Sequence, residues 1–225
     1  MLRQIAGLCL IASLATASAA QAGDAPNFKA TAHRVAVLSL LGDEFNFGAT
    51  STPVPGAGFD ALTENAIVKQ IKHDLPGVTV TKADAPRAEL LTQMYPPGGD
   101  NEAGMGNVRG ALRLWAAEHQ TDYIVVFRKS AGEPFVGAPG FSFFGIGLAP
   151  KNGKGAPVPA ALLNVTVLDG ASLEVVADLS ARDTDWSQYD FKRGAPEASW
   201  LPRLTSDAKA MLSTMAPTLV HGVGL

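Results

Sequence analysis

The chain has 225 residues, a formal charge of −3 and a single cysteine, Cys9. So mild an acidic balance, with no clustered Lys and Arg, excludes a nucleic-acid role, which needs phosphate neutralisation, and a polybasic hold on an anionic membrane. One cysteine excludes a disulfide framework and a thiolate metal site.

Met1-Leu2-Arg3, the apolar run from Ile5 to Ala17 and the small-x-small triplet Ala20-Gln21-Ala22 read as a secretory signal cleaved after Ala22. The run is too short for a bilayer of roughly 30 Å. Leu8 before Cys9, with the apolar run continuing beyond, argues against lipidation. Removing residues 1–22 takes away Arg3 and no acid, leaving a formal charge of −4. The expectation is a periplasmic or secreted protein with no transmembrane anchor in the mature chain. Residues 23–33 read as a flexible amino-terminal arm, and residues 34–225 as one domain.

Arg34 to Leu41 (RVAVLSLL) is a run broken only by Ser39 and closed by Gly42-Asp43-Glu44. Such a run is the signature of a strand buried on both faces, the central strand of a sheet. Residues 45–48 alternate as the return strand of a hairpin, and 50–58 is a Pro- and Gly-containing loop. Residues 60–74 form a helix with Leu62, Ala66, Ile67 and Ile71 inward and Glu64, Lys69, Gln70 and Lys72 outward. Asp60 is its expected cap and Pro76-Gly77 its stop. Val78 to Thr81 is a short strand, and strand–helix–strand in this order points to a parallel neighbour. A short helix over 87–95, a glycine-containing acidic loop over 100–106, a helix over 108–120 and a buried strand over 123–128 follow.

Beyond these, 132–155 is rich in Gly and Pro yet carries Phe135, Phe141, Phe143, Phe144, Ile146 and Leu148. Residues 161–168 and 173–181 pair as an antiparallel hairpin across Asp169–Ser172. Residues 186–200 are irregular and aromatic, and 201–215 is a final helix. The fold class is therefore α/β: one domain, a mixed central sheet of about five strands covered by three main helices, ending in an antiparallel hairpin and a carboxy-terminal helix.

No catalytic constellation is legible. Gly42-Asp43 after a buried strand resembles the opening of a Gly-Asp-Ser-Leu serine esterase. Glu44 stands at the nucleophile position, however, and Thr218 stands three before His221 where an Asp is needed. Residues 147–155 (GLAPKNGKG) miss the phosphate-loop spacing by one and have Gly155 where Ser or Thr binds magnesium. Gly104-Met105-Gly106 follows no strand, so it is no dinucleotide fingerprint. His33, His73, His119 and His221 are far apart in sequence, without metal-ligand spacing. Turn formation accounts for Asp43, Glu44, Asp169 and Asp185. No catalytic residue, cofactor site or metal site is assigned.

The content left unexplained is Phe135–Leu148 (FVGAPGFSFFGIGL). Aromatics interleaved with glycine either fold back over the core or present an apolar hairpin to a partner. On the second reading Phe141, Phe143, Phe144 and Ile146 are the partner-binding candidates.

Three pieces together resemble a group of bacterial envelope proteins: the opening RVAVLSL, the joint Thr121-Asp122-Tyr123-Ile-Val-Val, and LNVTVLDGASLEVV over 163–176. The arrangement is similar to the periplasmic domain of the curli secretion channel, the penicillin-binding-protein activator LpoB and the amino-terminal domain of TolB. The resemblance spans 34–181 and implies a small α/β domain with a mixed sheet, used for binding an envelope protein partner and not for catalysis. It supplies no catalytic residue and no named partner. The alternative from another class is a periplasmic hydrolase or small-ligand binder, its site at the carboxyl edge of the parallel strands near Asp43 and Glu44.

Overall fold

The computed structural model describes residues 27–47, 50–96, 101–132, 143–150, 157–184 and 200–225, without the side chains of 50, 101–103, 143, 150 and 157. The signal-like run with Cys9, Phe135, Phe141, Asp185 and the segment 186–199 lie outside the described residues. The fold is mixed α/β. Among the described residues there are five helices and ten strands, eight of which form one sheet.

β1 (Arg34–Leu40) is an interior strand with every residue from Val35 to Leu40 buried, as its composition predicts, but it is not the middle of the sheet: it lies next to the edge strand, and the long β9 takes the middle. β1 is flanked in parallel by β4 (Thr79–Lys82) and β5 (Tyr123–Lys129). The β-branched and aromatic run of β5 then pairs antiparallel with β9 (Pro157–Asp169), which pairs antiparallel with β10 (Val175–Thr184).

The sheet is larger than the five strands expected. β9 is 13 residues long, so one of its edges serves two partners in succession: 163–169 pairs with β5 and 157–161 with β8 (Ile146–Pro150). At the junction Leu162 N–H donates to Gly145 (2.7 Å), and Ser130 N–H donates to Leu162 (2.9 Å). β2 (Glu44–Phe47) runs parallel to β8, and β3 (Thr50–Pro53) closes that side antiparallel to β2. So β2 is in a hairpin, but not with β1, whose two edges are already taken. Its partner β3 lies in the stretch expected to be a loop. The two-residue strands β6 (Ala131–Gly132) and β7 (Phe143–Phe144) pair with each other beside the sheet.

α2 (Phe59–Asp74) and α5 (Leu201–Gly222) cover one face, packing Ile67, Ile71, Leu204 and Leu212 on Val35, Val37, Phe127 and Val165. α3 (Arg87–Met94) and α4 (Asn101–His119) cover the other, with Leu90, Met94, Val108 and Leu112 on Leu38, Leu40, Ile124 and Val126. α1 (Phe28–Thr31) anchors the described part, residues 27–33, of the stretch expected to be a flexible arm. Phe28 is buried edge-on against Tyr123, whose hydroxyl lies 2.8 Å from Thr31 Oγ1.

Two helices outrun their expected bounds for identifiable reasons. α4 begins at Asn101 rather than 108, because Gly104 lets it touch the end of α3. A Cβ there would meet the Met94 carbonyl oxygen at 2.0 Å. α5 continues past Pro217, which denies a hydrogen bond to the carbonyl four residues back. Burial of Ala216, Leu219 and Val220 outweighs that loss.

Candidate functional site at the carboxyl edge of the sheet

The carboxyl ends of β1 and β5 gather the polar groups that a ligand or substrate would meet in an open α/β sheet. β4 pairs with β1 only as far as Val37. Beyond it, two acids of α2 take the place of the strand. The Glu64 carboxylate accepts Ser39 N–H (3.0 Å), while Asp60 accepts Leu41 N–H (2.8 Å) and Gly42 N–H (3.2 Å). Asp60 and Glu64 are one helical turn apart on α2, matching the two-residue repeat of N–H groups along one edge of β1. Arg87, on α3, pairs with Glu64. Burial pushes both acids above their ordinary values, against the hydrogen bonds they accept and the nearby Arg87 charge.

The other edge of β1 is held by a tyrosine. In the β1–β5 register, Leu40 C=O and Lys129 N–H are the next partners after the last direct ladder bond. The Tyr95 hydroxyl stands between them, donating to Leu40 (2.7 Å) and accepting from Lys129 N–H (2.7 Å). Burial raises the Tyr95 phenol far above its ordinary value, so it stays protonated and serves both bonds.

Lys129 is a buried cation, its side chain 1% exposed. Its Nζ pairs with Glu44 and lies 5.3 Å from the Tyr95 ring centroid and 5.9 Å from that of Phe144. Burial lowers its pKa, with Glu44 acting in the opposite direction. Burial also works against the Glu44 carboxylate, but hydrogen bonds from Lys129 and Ser51 outweigh it and hold Glu44 below its ordinary value. The strand junction folds closely over this pair. Gly145 has φ +72°, and a Cβ on it would meet Lys129 Cδ at 2.7 Å; one on Gly147 would meet the Asn46 carbonyl oxygen at 1.9 Å.

Of the acids picked out in the sequence, Asp43 caps α2, accepting Gly58 N–H and Phe59 N–H at 3.0 Å each. That role was expected of Asp60, which instead binds β1. Glu44 clamps Lys129, and Asp169 accepts Ala171 and Ser172 N–H in the β9–β10 turn. Glu64, read as an outward residue, is 2% exposed. Gly104-Met105-Gly106 lies within α4, and the start of the phosphate-loop-like run forms β8. His73 and His221 meet at Asp74 (2.8 and 3.5 Å), but among the described residues no group of three or more ligating side chains is placed to hold a metal ion. No helix of the described residues is long and apolar enough to cross a membrane.

Of the partner-binding candidates, Phe144 is half-buried, edge-on to Tyr95 with ring centroids 5.5 Å apart. Ile146 is 1% exposed in the main core, which takes its side chain off the surface. Phe141 and the side chain of Phe143 lie outside the described residues.

Lys129, Tyr95 and Glu64 escaped the sequence reading, yet two of them left a signal. Lys129 continues the core-facing alternation Tyr123, Val125, Phe127, and Glu64 shares the helical stripe of Asp60, Ile67 and Ile71.

No family model matches the chain, and no curated protein matches it. Solved structures with some likeness include the PelC dodecamer from Paraburkholderia phytofirmans, at 14% identity and TM-score 0.38 over 83% of this chain and 87% of that one. Protein XCC0632 from Xanthomonas campestris, described as family-model DUF330, has 11% identity and TM-score 0.39 over 84% of this chain and 82% of that one. Lipoprotein GNA1162 from Neisseria meningitidis has 14% identity and TM-score 0.33 over 80% of this chain and 97% of that one. Likenesses this remote carry no assignment of activity or partner.

Proposed function

We propose that this chain is an exported, non-catalytic binding or assembly accessory of the bacterial cell envelope. The observation that carries the reading is the engagement of the carboxyl-edge acids. Asp43 caps a helix, Glu44 neutralises a buried lysine, and Asp60 and Glu64 hold backbone N–H groups. General acid–base work needs a group within reach of a substrate proton and able to give or take it. Groups whose hydrogen bonds complete the sheet are committed elsewhere. The signal-like residues 1–22 supply the address, and the aromatic segment ending in Phe143-Phe144 is the surface we assign to a partner.

The test is crosslinking in the protein's own envelope followed by affinity recovery, comparing the unaltered chain with a Phe141→Ser/Phe143→Ser variant that spares Ile146. The reading expects a defined envelope partner, lost in a variant that melts at the unaltered temperature. Absence of any partner, together with hydrolysis of ester, glycoside or phosphate probes that Glu44→Gln abolishes, would replace it with the hydrolase reading.

A further inference from the structure

We propose that His73 and His221 form a proton-operated clasp on Asp74. In mild acid both imidazoles close on the one carboxylate, and the last turn of α5 and the α1 segment packed under it are held more tightly than at neutral pH.

The two histidines stand in the last turns of α2 and α5, the two helices that cover one face of the sheet together. They meet at one side chain. His73 Nδ1 lies 2.8 Å from Asp74 Oδ1, and His221 Nδ1 lies 3.5 Å from Asp74 Oδ2. The third partner of the carboxylate, Gln70 Nε2, donates to Oδ2 at 2.6 Å and carries no charge at any pH. Hydrogen bonds from Gln70, His73 and His221, working against desolvation, hold Asp74 below its ordinary value. The carboxylate is therefore ionised throughout the range, near about pH 6.5, in which imidazoles titrate.

Ring orientation makes the contacts depend on a proton. Both rings turn Nδ1 toward the carboxylate. A neutral imidazole holds a single proton, and with that proton on Nε2 its Nδ1 is an acceptor facing another acceptor. The imidazolium donates from both nitrogens. Only the charged form acts well across the 3.5 Å of His221, which is long for a hydrogen bond but within ion-pair reach. Each positive charge also sits at the carboxyl end of a helix, where the macrodipole favours it. The other charged groups on the surrounding elements are Lys69 and Lys72 on α2, Lys209 on α5, Arg34 on β1 and Lys82 on β4, with Lys29 and His33 on the α1 side. Among the described residues none of these forms an ion pair, so Asp74 is the only acid in the clasp.

The clasp governs more than two side chains. Beyond His221, Val223 N–H donates to Leu219 C=O (3.2 Å) and Leu225 N–H to Val220 C=O (3.3 Å). Leu225 is 1% exposed and shares the core with Phe28 of α1, and a Cβ on Gly224 would lie 3.7 Å from the Phe28 ring. Fastening the end of α5 to α2 therefore also fastens α1.

The experiment is amide hydrogen exchange read by NMR at about pH 5.5 and 7.5, each rate divided by the intrinsic rate at that pH. From the lower to the higher pH, Val223, Leu225 and Ala32, whose N–H closes α1, are expected to lose about three- to fivefold protection, the scale of two exposed ion pairs. Val35 and Ile124 in the sheet keep theirs. Asp74→Asn abolishes the difference. Asp60 and Glu64 also respond to pH, but both are intact in that variant. Gln70→Ala removes a partner that does not titrate and lowers protection equally at both pH values, as a merely structural contact would. His221→Gln, at a side chain 78% exposed, flattens the same three probes and decides the matter alone should Asp74→Asn unsettle the fold. Equal protection of these amides at both pH values, or a fall that persists in Asp74→Asn or in His221→Gln, would overturn the proposal.

Discussion

The two halves of β1 are held in different ways. From Arg34 to Val37 the strand is closed by backbone on both edges, β4 on one side and β5 on the other. From Leu38 to Gly42 it is closed increasingly by side chains: Asp60 and Glu64 stand in for β4, and the Tyr95 hydroxyl is inserted at the last rung toward β5. Val35 to Leu41 are all buried, so both halves must satisfy the same demand for paired N–H and C=O groups. Buried acids at the carboxyl edge of an α/β sheet are therefore not by themselves a reaction centre. In this chain they have the positions of catalytic carboxylates and the partners of a missing strand.

The largest loss of stability is expected at the Lys129–Glu44 pair. Glu44→Ala leaves a buried ammonium without its counter-charge and is expected to cost about 2–3 kcal/mol in urea unfolding, somewhat below the range for fully buried pairs because Glu44 is partly solvated. Lys129→Met in the same chain recovers much of that loss. Next comes Asp60→Ala, which orphans the amides of Leu41 and Gly42 and is expected to lower stability by about 2 kcal/mol; Asp60→Asn, which keeps an acceptor, costs about half as much. Tyr95→Phe removes the bridging hydroxyl, and partial closure of the ladder offsets the loss, so about 1 kcal/mol is expected.

The smallest effect is in pH dependence, where the acids act in opposite directions. Asp60 and Glu64 titrate above their ordinary values when folded, so between those values and the raised ones the folded state holds more protons, and their contribution falls as pH rises. Glu44 is depressed below its ordinary 4.5, so its contribution is complete above that value and is lost as pH falls through the folded one. Urea midpoints from about pH 3 to 7 are expected to show a flatter acid limb in Glu44→Gln and a flatter upper limb in Glu64→Gln.

The elements legible in the sequence are those whose burial pattern is local. β1, β5 and the β9–β10 hairpin read from their apolar runs, and α2 from its three- and four-residue spacing. What cannot be read there depends on contacts distant in sequence. β8 is written as a glycine-rich loop because Gly147 must pass against Asn46, a requirement set a hundred residues earlier in the chain. The start of α4 is hidden by glycines that serve its contact with α3. Asp43 and Glu44 are recognisable as acids closing a buried strand, but their partners are not neighbours: Phe59 for one, Lys129 for the other. A reading by charge misplaces Glu64, whose burial follows from its position in the Asp60–Ile67–Ile71 stripe.

The most direct measurement is residue-resolved amide hydrogen exchange in the unaltered chain and in Asp60→Ala. If Asp60 acts as a substitute strand, the variant loses at least tenfold protection at Leu41 and Gly42, while Val35 and Val37, in the backbone-closed half of β1, keep theirs. Unchanged exchange at Leu41, or an equal loss along the whole of β1, would contradict that account and reopen the question of what these acids are for.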